Sequence, residues 1–130
     1  MAFAEQAVYT ILNPKLLAEW ASSTDDAQLR ETKRWVTAKR YFDDAQRRGL
    51  EMAVIYADAA QDCSKLIYWG RLTSVEVDAD GTSYTVAGLT PLTGHRTQEL
   101  VLLSTSEQIA PGYIRPYAVV RRPPFLVQTT

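Results

Sequence analysis

Basic and aromatic side chains stand next to each other in this sequence, and that pairing suits one kind of chemistry. Aromatic rings stack on unpaired bases, while neighbouring lysines and arginines hold phosphate groups. The pairing occurs at four places, namely Lys33-Arg34-Trp35, Lys39-Arg40-Tyr41-Phe42, Tyr68-Trp69-Gly70-Arg71 and Arg115-Pro116-Tyr117. The sequence therefore predicts a surface that binds nucleic acid.

Large aromatic residues of a small domain more often fill its core, and Trp20, Phe42 and Phe125 are expected to do so. Side chains alternate between the two faces of a strand. Tyr68 and Trp69 are adjacent in a predicted strand, so only one of the two can point into a single core. We therefore expect some of the aromatic rings to line a groove or pocket.

Catalytic and metal-binding motifs are absent from the sequence. It has neither a GxGxxG motif nor a P-loop, and one cysteine with one histidine excludes a structural zinc site. Cys63 and His95 lack an identifiable third group that would orient them as nucleophile and base. The paired carboxylates have structural explanations as a helix start, a helix face and a turn: Asp25-Asp26, Asp43-Asp44 and Asp78/Asp80. We predict no catalytic residue, no metal ligand and no cofactor.

The 130 residues predict one domain over residues 1–130. The net charge is only −1, but residues 30–48 contain seven basic and three acidic residues. This segment is either a small patch for nucleic acid or a solvated helix face. The single cysteine is typical of a reducing compartment. Without a membrane-length apolar run or a basic N-terminal start, the sequence predicts a cytoplasmic protein.

The first half of the sequence predicts one strand followed by helices. Residues 7–12 are rich in β-formers, and Asn13-Pro14 is typical of a helix start, here for residues 15–20. Ser22-Ser23 followed by acidic residues predicts a second helix start. Residues 22–48 are then expected to be helical, with a break near Trp35 and an end at Gly49.

The second half predicts strands joined by short turns. We expect strands over residues 52–56, 65–77, 83–89, 100–103 and 113–120, with a bulge at Gly70 and a hairpin turn at residues 78–81. Residues 111–112 are expected to form a further turn. This order predicts an α+β fold with five to six mostly antiparallel strands, two or three helices at the side of the sheet, and a partly closed barrel.

The stretch from Trp35 to Gly70 resembles one known superfamily. Residues 35–42 (WVTAKRYF) resemble the tryptophan-led loop of EVE-type domains in the PUA-like superfamily. A short basic helix, the strand in residues 49–56 (GLEMAVIY) and the glycine-containing strand in residues 66–72 (LIYWGRL) follow in the same order. The ASCH branch of the superfamily fits almost as well. The resemblance implies a pseudo-barrel that binds RNA or DNA carrying a modified base.

The resemblance also implies which residues line the pocket. Trp35, Lys39, Arg40 and Tyr41 would form one wall, to which we add Ser22, Ser23, Tyr56 and Trp69, with Arg115 and Arg121 as phosphate ligands. The leading hypothesis is a non-catalytic module that recognises a modified or flipped base. The alternative is a small ASCH-like hydrolase of RNA or a nucleotide derivative, using a carboxylate, Lys39 or Tyr41. A third is a protein-interaction role through residues 123–127.

Overall fold

The computed structural model describes residues 2–109 and 117–126. Within these residues, six strands and two α-helices follow one another: β1 (Phe3–Leu12), α1 (Pro14–Ala21), β2 (Ala27–Glu31), α2 (Val36–Arg47), β3 (Glu51–Asp58), β4 (Leu66–Asp78), β5 (Gly81–Pro91) and β6 (Tyr117–Arg121). A short 3-10 helix, Thr97–Glu99, lies between the last two strands. Among the described residues, no helix has the length and apolar composition needed to cross a membrane.

The six strands form one sheet in the order β2-β5-β4-β3-β1-β6. Among these six described strands only β1 and β3 run parallel, and the other neighbours are antiparallel. The prediction of an α+β fold with mostly antiparallel strands is therefore confirmed. Within the described residues the two edge strands β2 and β6 do not pair, so the sheet is not closed into a barrel.

The sheet is nevertheless strongly curled. The hydroxyl of Thr10 on β1 donates a 2.7 Å hydrogen bond to Glu31 on β2, although three strands lie between them. In a flat sheet these strands would be about 19 Å apart, four spacings of roughly 4.8 Å. Bulging in β4 at Gly70 contributes to the curl, since the register shifts between Trp69 and Arg71. A side chain at position 70 would collide with Val86 on β5.

Local sequence signals account for several of the element boundaries. The Asn13 side chain accepts a 2.8 Å hydrogen bond from the backbone N–H of Lys15, and Pro14 opens α1, as predicted. Gly49 ends α2 with a left-handed φ of 68°. The hairpin at residues 78–81 and the bulge at Gly70 are also confirmed.

The prediction of helix throughout residues 22–48 is wrong. Ala27–Glu31 is strand β2, paired antiparallel with β5, and its residues alternate between the buried and the exposed side. Helix α2 begins only at Val36, where a break was predicted. Residues 100–103 are not a continuous strand either, because they make only isolated bridges at Val101 and Leu102. Residues 110–116, with the predicted turn and the start of the last predicted strand, lie outside the described residues.

Hydrophobic side chains fill both sides of the sheet. The inner cluster lies under α1 and α2 and includes Leu17, Phe42 and Tyr56. The outer cluster includes Leu100 and Leu126, which come from segments outside the main strands. Tyr68 packs against the inner cluster and Trp69 against the outer one, which confirms that their rings point to opposite faces.

Candidate functional site

A row of polar and aromatic side chains crosses the inner face of the sheet. Thr10 on β1 is paired with Tyr117 on β6 and with Tyr56 on β3, and Tyr56 is paired with Tyr68 on β4. Directly paired residues project from the same face of a sheet. The curl brings Tyr84 on β5 into contact with this row from the other side. The four tyrosines of this row lie in the inner cluster or pack against it, and we call them the tyrosine layer: Tyr56, Tyr68, Tyr84 and Tyr117.

The Glu31 carboxylate on β2 is hydrogen-bonded both to the tyrosine layer and to β1 across the curl of the sheet. Glu31 accepts a 2.7 Å hydrogen bond from the Thr10 hydroxyl through Oε1 and a 2.6 Å hydrogen bond from the Tyr84 hydroxyl through Oε2. The Tyr56 hydroxyl in turn donates to that of Tyr84 at 3.2 Å. We call these four residues the Glu31 clasp. They connect β1, β2, β3 and β5 through side chains alone.

Burial determines the ionisation of the clasp. Removal from water raises the pKa of Glu31, and the hydrogen bonds from Tyr84 and Thr10 lower it only in part. Burial likewise raises the pKa of Tyr56 and of Tyr84. Both phenols therefore stay neutral at physiological pH, which leaves Glu31 as the titratable group of the clasp.

The sequence interpretation missed Glu31 because it assigned residues 22–48 to a helix. The available signal was the alternation in Ala27–Glu31, which places Ala27, Leu29 and Glu31 on one face of a strand. A glutamate on the apolar face of a strand must be hydrogen-bonded when it is buried. That reasoning would have marked Glu31 as unusual.

Trp35, predicted to line a ligand pocket, is fully buried in the inner core. Its ring stacks on Tyr84, with centroids 4.2 Å apart, and on Tyr117, with centroids 5.3 Å apart. Its backbone N–H donates a 2.8 Å hydrogen bond to the Thr82 hydroxyl. Trp35 precedes the first residue of α2 and offers no capping side chain. The Tyr117 hydroxyl takes over that role by accepting a 3.0 Å hydrogen bond from the Ala38 N–H.

Two adjoining grooves on the surface beside α2 bring together other predicted residues. The charged groove, of about 410 Å³, is lined by Arg40, Asp43, Asp44 and Arg47, and the apolar groove, of about 310 Å³, by Leu102, Ser104, Tyr117 and Val119. Thr37 and the half-buried Tyr41 line both. The volumes lie near the lower end of the roughly 300–1,000 Å³ range of small-ligand sites.

The lining of the charged groove is balanced, with Arg40 and Arg47 against Asp43 and Asp44, and the surplus of positive charge on α2 comes from Lys39 and Arg48. Lys39 pairs with Asp43 at 3.3 Å, and Asp44 pairs with Arg47 at 3.3 Å and with Arg48 at 3.4 Å. Arg40 is exposed, and no carboxylate of the described residues pairs with it. Four basic residues against two acidic ones leave a net charge of +2 between positions 36 and 48.

The remaining predicted site residues lie apart from these grooves or make local contacts. The Ser22 hydroxyl donates to the Glu19 carbonyl at 2.9 Å at the end of α1, and Ser23 accepts a 3.1 Å hydrogen bond from the Asp25 N–H. Tyr56 is buried in the clasp. Neither serine marks the start of a helix, because residues 22–26 form a turn into β2.

Trp69 packs on the opposite side of the sheet from Trp35. Its ring meets Phe3 edge to face, with centroids 5.8 Å apart. Arg121 is exposed and donates a 2.9 Å hydrogen bond to the Ser106 hydroxyl. Arg115, the other predicted phosphate ligand, lies outside the described residues. The structure therefore does not gather Trp35 and Trp69 into one pocket.

Other side chains that could take part in catalysis or binding make structural contacts instead. The Glu99 carboxylate accepts a 3.0 Å hydrogen bond from His95 Nδ1, and the His95 ring stacks on Phe125, with ring centroids 4.0 Å apart. Pro123 and Leu126 are buried, so the described part of the segment proposed for protein contacts packs on its own domain. Among residues 2–109 and 117–126, no three His, Cys, Asp or Glu side chains are grouped to hold a metal.

Comparison with protein-family models, curated proteins and solved structures finds no match for this chain.

Proposed function

We propose that this protein is a non-catalytic module that binds unpaired nucleotides of RNA or modified DNA, with a curled sheet of the PUA-like kind as its scaffold. The observation that carries the proposal is the position of Tyr41. Its half-buried side chain lies at the junction of the charged and apolar grooves, next to the exposed Arg40.

This arrangement suits a single strand of nucleic acid, because the Tyr41 ring has charged side chains on one side and mostly apolar side chains on the other. A base stacked on Tyr41 would leave its phosphate towards Arg40 and extend the neighbouring base along the apolar groove. The Thr37 and Ser104 hydroxyls beside that groove offer hydrogen bonds to base edges. Because Trp35 is buried, the proposed surface depends on Tyr41 and not on the tryptophan.

A duplex would bind less well for two reasons. Its bases are already stacked on one another, so Tyr41 would gain no contact. A net charge of +2 over residues 36–48 also supplies few phosphate contacts. For about two such contacts, the logarithm of the binding constant should fall with the logarithm of salt concentration with a slope of about −1.4 on a single strand.

Fluorescence anisotropy with labelled polyuridine, polythymidine and a duplex of equal length tests the proposal between about 50 and 200 mM salt. Tyr41→Leu keeps an apolar side chain against the core but removes the ring, and should weaken single-strand binding about 5- to 150-fold, the equivalent of 1–3 kcal/mol of stacking. Arg40→Gln should make the salt slope shallower by about 0.7.

Lys15→Gln is the matched control, because Lys15 is an exposed basic residue on α1 and lines neither groove. It removes the same charge from a different place. Equal effects of Lys15→Gln and Arg40→Gln would mean that only net charge matters. Equal affinity for duplex and single strand, or no binding of any probe at low salt, would refute the proposal.

A second candidate function, hydrolysis of RNA or a nucleotide derivative, is favoured by Glu31. A largely buried carboxyl group with a raised pKa is typical of general acids and bases, and since Glu31 lines neither groove, a substrate would have to reach it by another path. Product release from an RNA oligomer that is lost in Glu31→Gln but kept in Glu76→Gln would favour hydrolysis over binding alone. Glu76 is a glutamate exposed on β4.

A further inference from the structure

Glu31 is linked to the apolar groove by an unbroken series of contacts. Its Oε2 accepts the hydrogen bond from Tyr84 at 2.6 Å, and the Tyr84 ring stacks on Trp35 at 4.2 Å. Trp35 stacks on Tyr117 with an interplanar angle of 8°. Tyr117 lines the apolar groove, and its hydroxyl accepts from the first turn of α2 at Ala38. A change at Glu31 therefore has a short physical route to the groove.

The two protonation states of Glu31 differ in the hydrogen bonds that they can make. The ionised carboxylate only accepts, and it accepts from both hydroxyls that donate to it in the structure. A protonated carboxyl group must itself donate through one oxygen. The hydroxyl of Thr10 or Tyr84 facing that oxygen must then turn its own proton elsewhere. Protonation of Glu31 therefore removes one of the two hydrogen bonds that it accepts from Thr10 and Tyr84.

We propose that the ionisation of Glu31 regulates ligand binding, with the carboxylate holding Tyr84, Trp35 and Tyr117 in the arrangement that forms the apolar groove and the protonated form releasing it. For its ligand this inference rests on the function proposed above. Glu31 is then a positioning residue, since it acts on the groove through Tyr84 and Trp35 and lines neither groove itself.

The groups around Glu31 leave it as the single titrating residue of the clasp. From β1 it faces the Thr10 hydroxyl, and from β5 and β3 it faces tyrosines that burial keeps neutral. Lys33 and Arg34 follow it in the chain but are exposed, and Arg34 donates to the Asp78 carbonyl at 2.8 Å. In the described part of the chain, no charged side chain is among the groups that shift the Glu31 pKa.

The first experiment follows the amide of Ala38 by ¹H–¹⁵N NMR as a function of pH, because this N–H bonds directly to Tyr117. The Ala38 signal should titrate with a midpoint above 4.5, the ordinary value for glutamate, in the wild type and in Glu76→Gln. It should be flat in Glu31→Gln. A titration that persists in Glu31→Gln would arise from the acidic residues of α2 and would overturn the inference.

Tyr84→Phe gives an independent test should Glu31→Gln fail to fold. This variant keeps the ring that stacks on Trp35 but removes the hydrogen bond that lowers the Glu31 pKa. The midpoint at Ala38 should therefore move to higher pH. An unchanged midpoint would show that the signal does not report on Glu31, and would overturn the inference.

The second experiment measures the affinity for labelled polyuridine over the same pH range. At pH values above the midpoint of the Ala38 titration, Glu31→Gln should bind at least about fivefold more weakly than the wild type, the lower end of typical coupling between sites. The ratio of these two affinities should approach one as the pH falls and Glu31 of the wild type becomes protonated. If the ratio of the wild-type and Glu31→Gln affinities does not vary with pH, the proposed regulation by Glu31 is overturned, while the proposed binding function is left intact. Absence of wild-type binding at every pH refutes the binding function, and the Ala38 titration still decides the coupling.

Discussion

Replacement of Tyr84 by phenylalanine should destabilise the protein more than any other removal of a single hydroxyl in the tyrosine layer. The variant loses the 2.6 Å hydrogen bond to the Glu31 carboxylate, and hydrogen bonds to charged groups contribute about 1.5–3 kcal/mol. It also leaves the hydroxyl of the fully buried Tyr56 without its acceptor, which costs about 1–3 kcal/mol. We expect a total loss of about 3–5 kcal/mol, a large share of the roughly 5–15 kcal/mol that stabilises a typical domain.

Urea denaturation followed by circular dichroism measures this loss as a change in midpoint at constant slope. Tyr68→Phe is the matched control, because Tyr68 packs on the same cluster, is only half-buried and makes no side-chain hydrogen bond within the described residues. We expect the control to cost less than about 0.5 kcal/mol, as for surface substitutions. Equal losses in the two variants would refute the view that the clasp stabilises the curled sheet.

The pH dependence of the stability lost in Tyr84→Phe gives a second test of this prediction, because the direction of the change with pH is also predicted. The Glu31 pKa is higher in the folded protein than in the unfolded chain, so its contribution to stability is greatest below 4.5 and is lost as pH rises through the folded value. Tyr84→Phe removes a hydrogen bond that lowers this pKa and so raises it further. The difference in stability between wild type and variant should therefore widen with increasing pH. A difference that narrows would contradict the assigned hydrogen bond.

Three further outcomes are expected. Tyr117→Phe removes the acceptor for the Ala38 N–H, so it should cost about 1 kcal/mol, as the loss of a helix cap does, and accelerate hydrogen exchange of that amide. Gly81→Ala should lower the melting temperature by several degrees at least, because its Cβ would collide with the carbonyl of Glu31. Hydrogen bonds from Arg30 on β2 lower the pKa of Asp78 to about 2. The stability that this interaction provides is present above pH 3.8 and is lost as the pH falls through about 2. An acid titration of Asp78→Asn by circular dichroism should lack that loss.

Local chemistry made much of the fold predictable. Asn13 and Gly49 mark helix ends because their effects depend on a few neighbouring atoms. The strand Ala27–Glu31 was missed because all five of its residues (AQLRE) are good helix formers or neutral to helix formation. Its extended conformation is fixed by pairing with β5, whose residues lie more than 50 positions further along the chain. Such a tertiary contact overrides local propensity.

The candidate site was less predictable because its geometry depends on the curl of the sheet. Pairing of aromatic and basic residues pointed to Arg40 and Tyr41, which do line one groove. It could not indicate that Trp35 would be covered by Tyr84 and Tyr117, since these residues come from β5 and β6. Contacts between distant strands are set by the register and curvature of the whole sheet.

The cost of burying Glu31 and the presence of the apolar groove have one common explanation. A buried carboxylate is often no more stabilising than an apolar residue of similar volume, so core packing alone does not require it. A carboxylate can accept hydrogen bonds from two different strands at once, and Glu31 does so from Thr10 and Tyr84. These hydrogen bonds join β1 and β5 to β2 across the curl. The curl places Tyr84 against Trp35 and Trp35 against Tyr117, and so sets the distance between α2 and β6 that forms the groove.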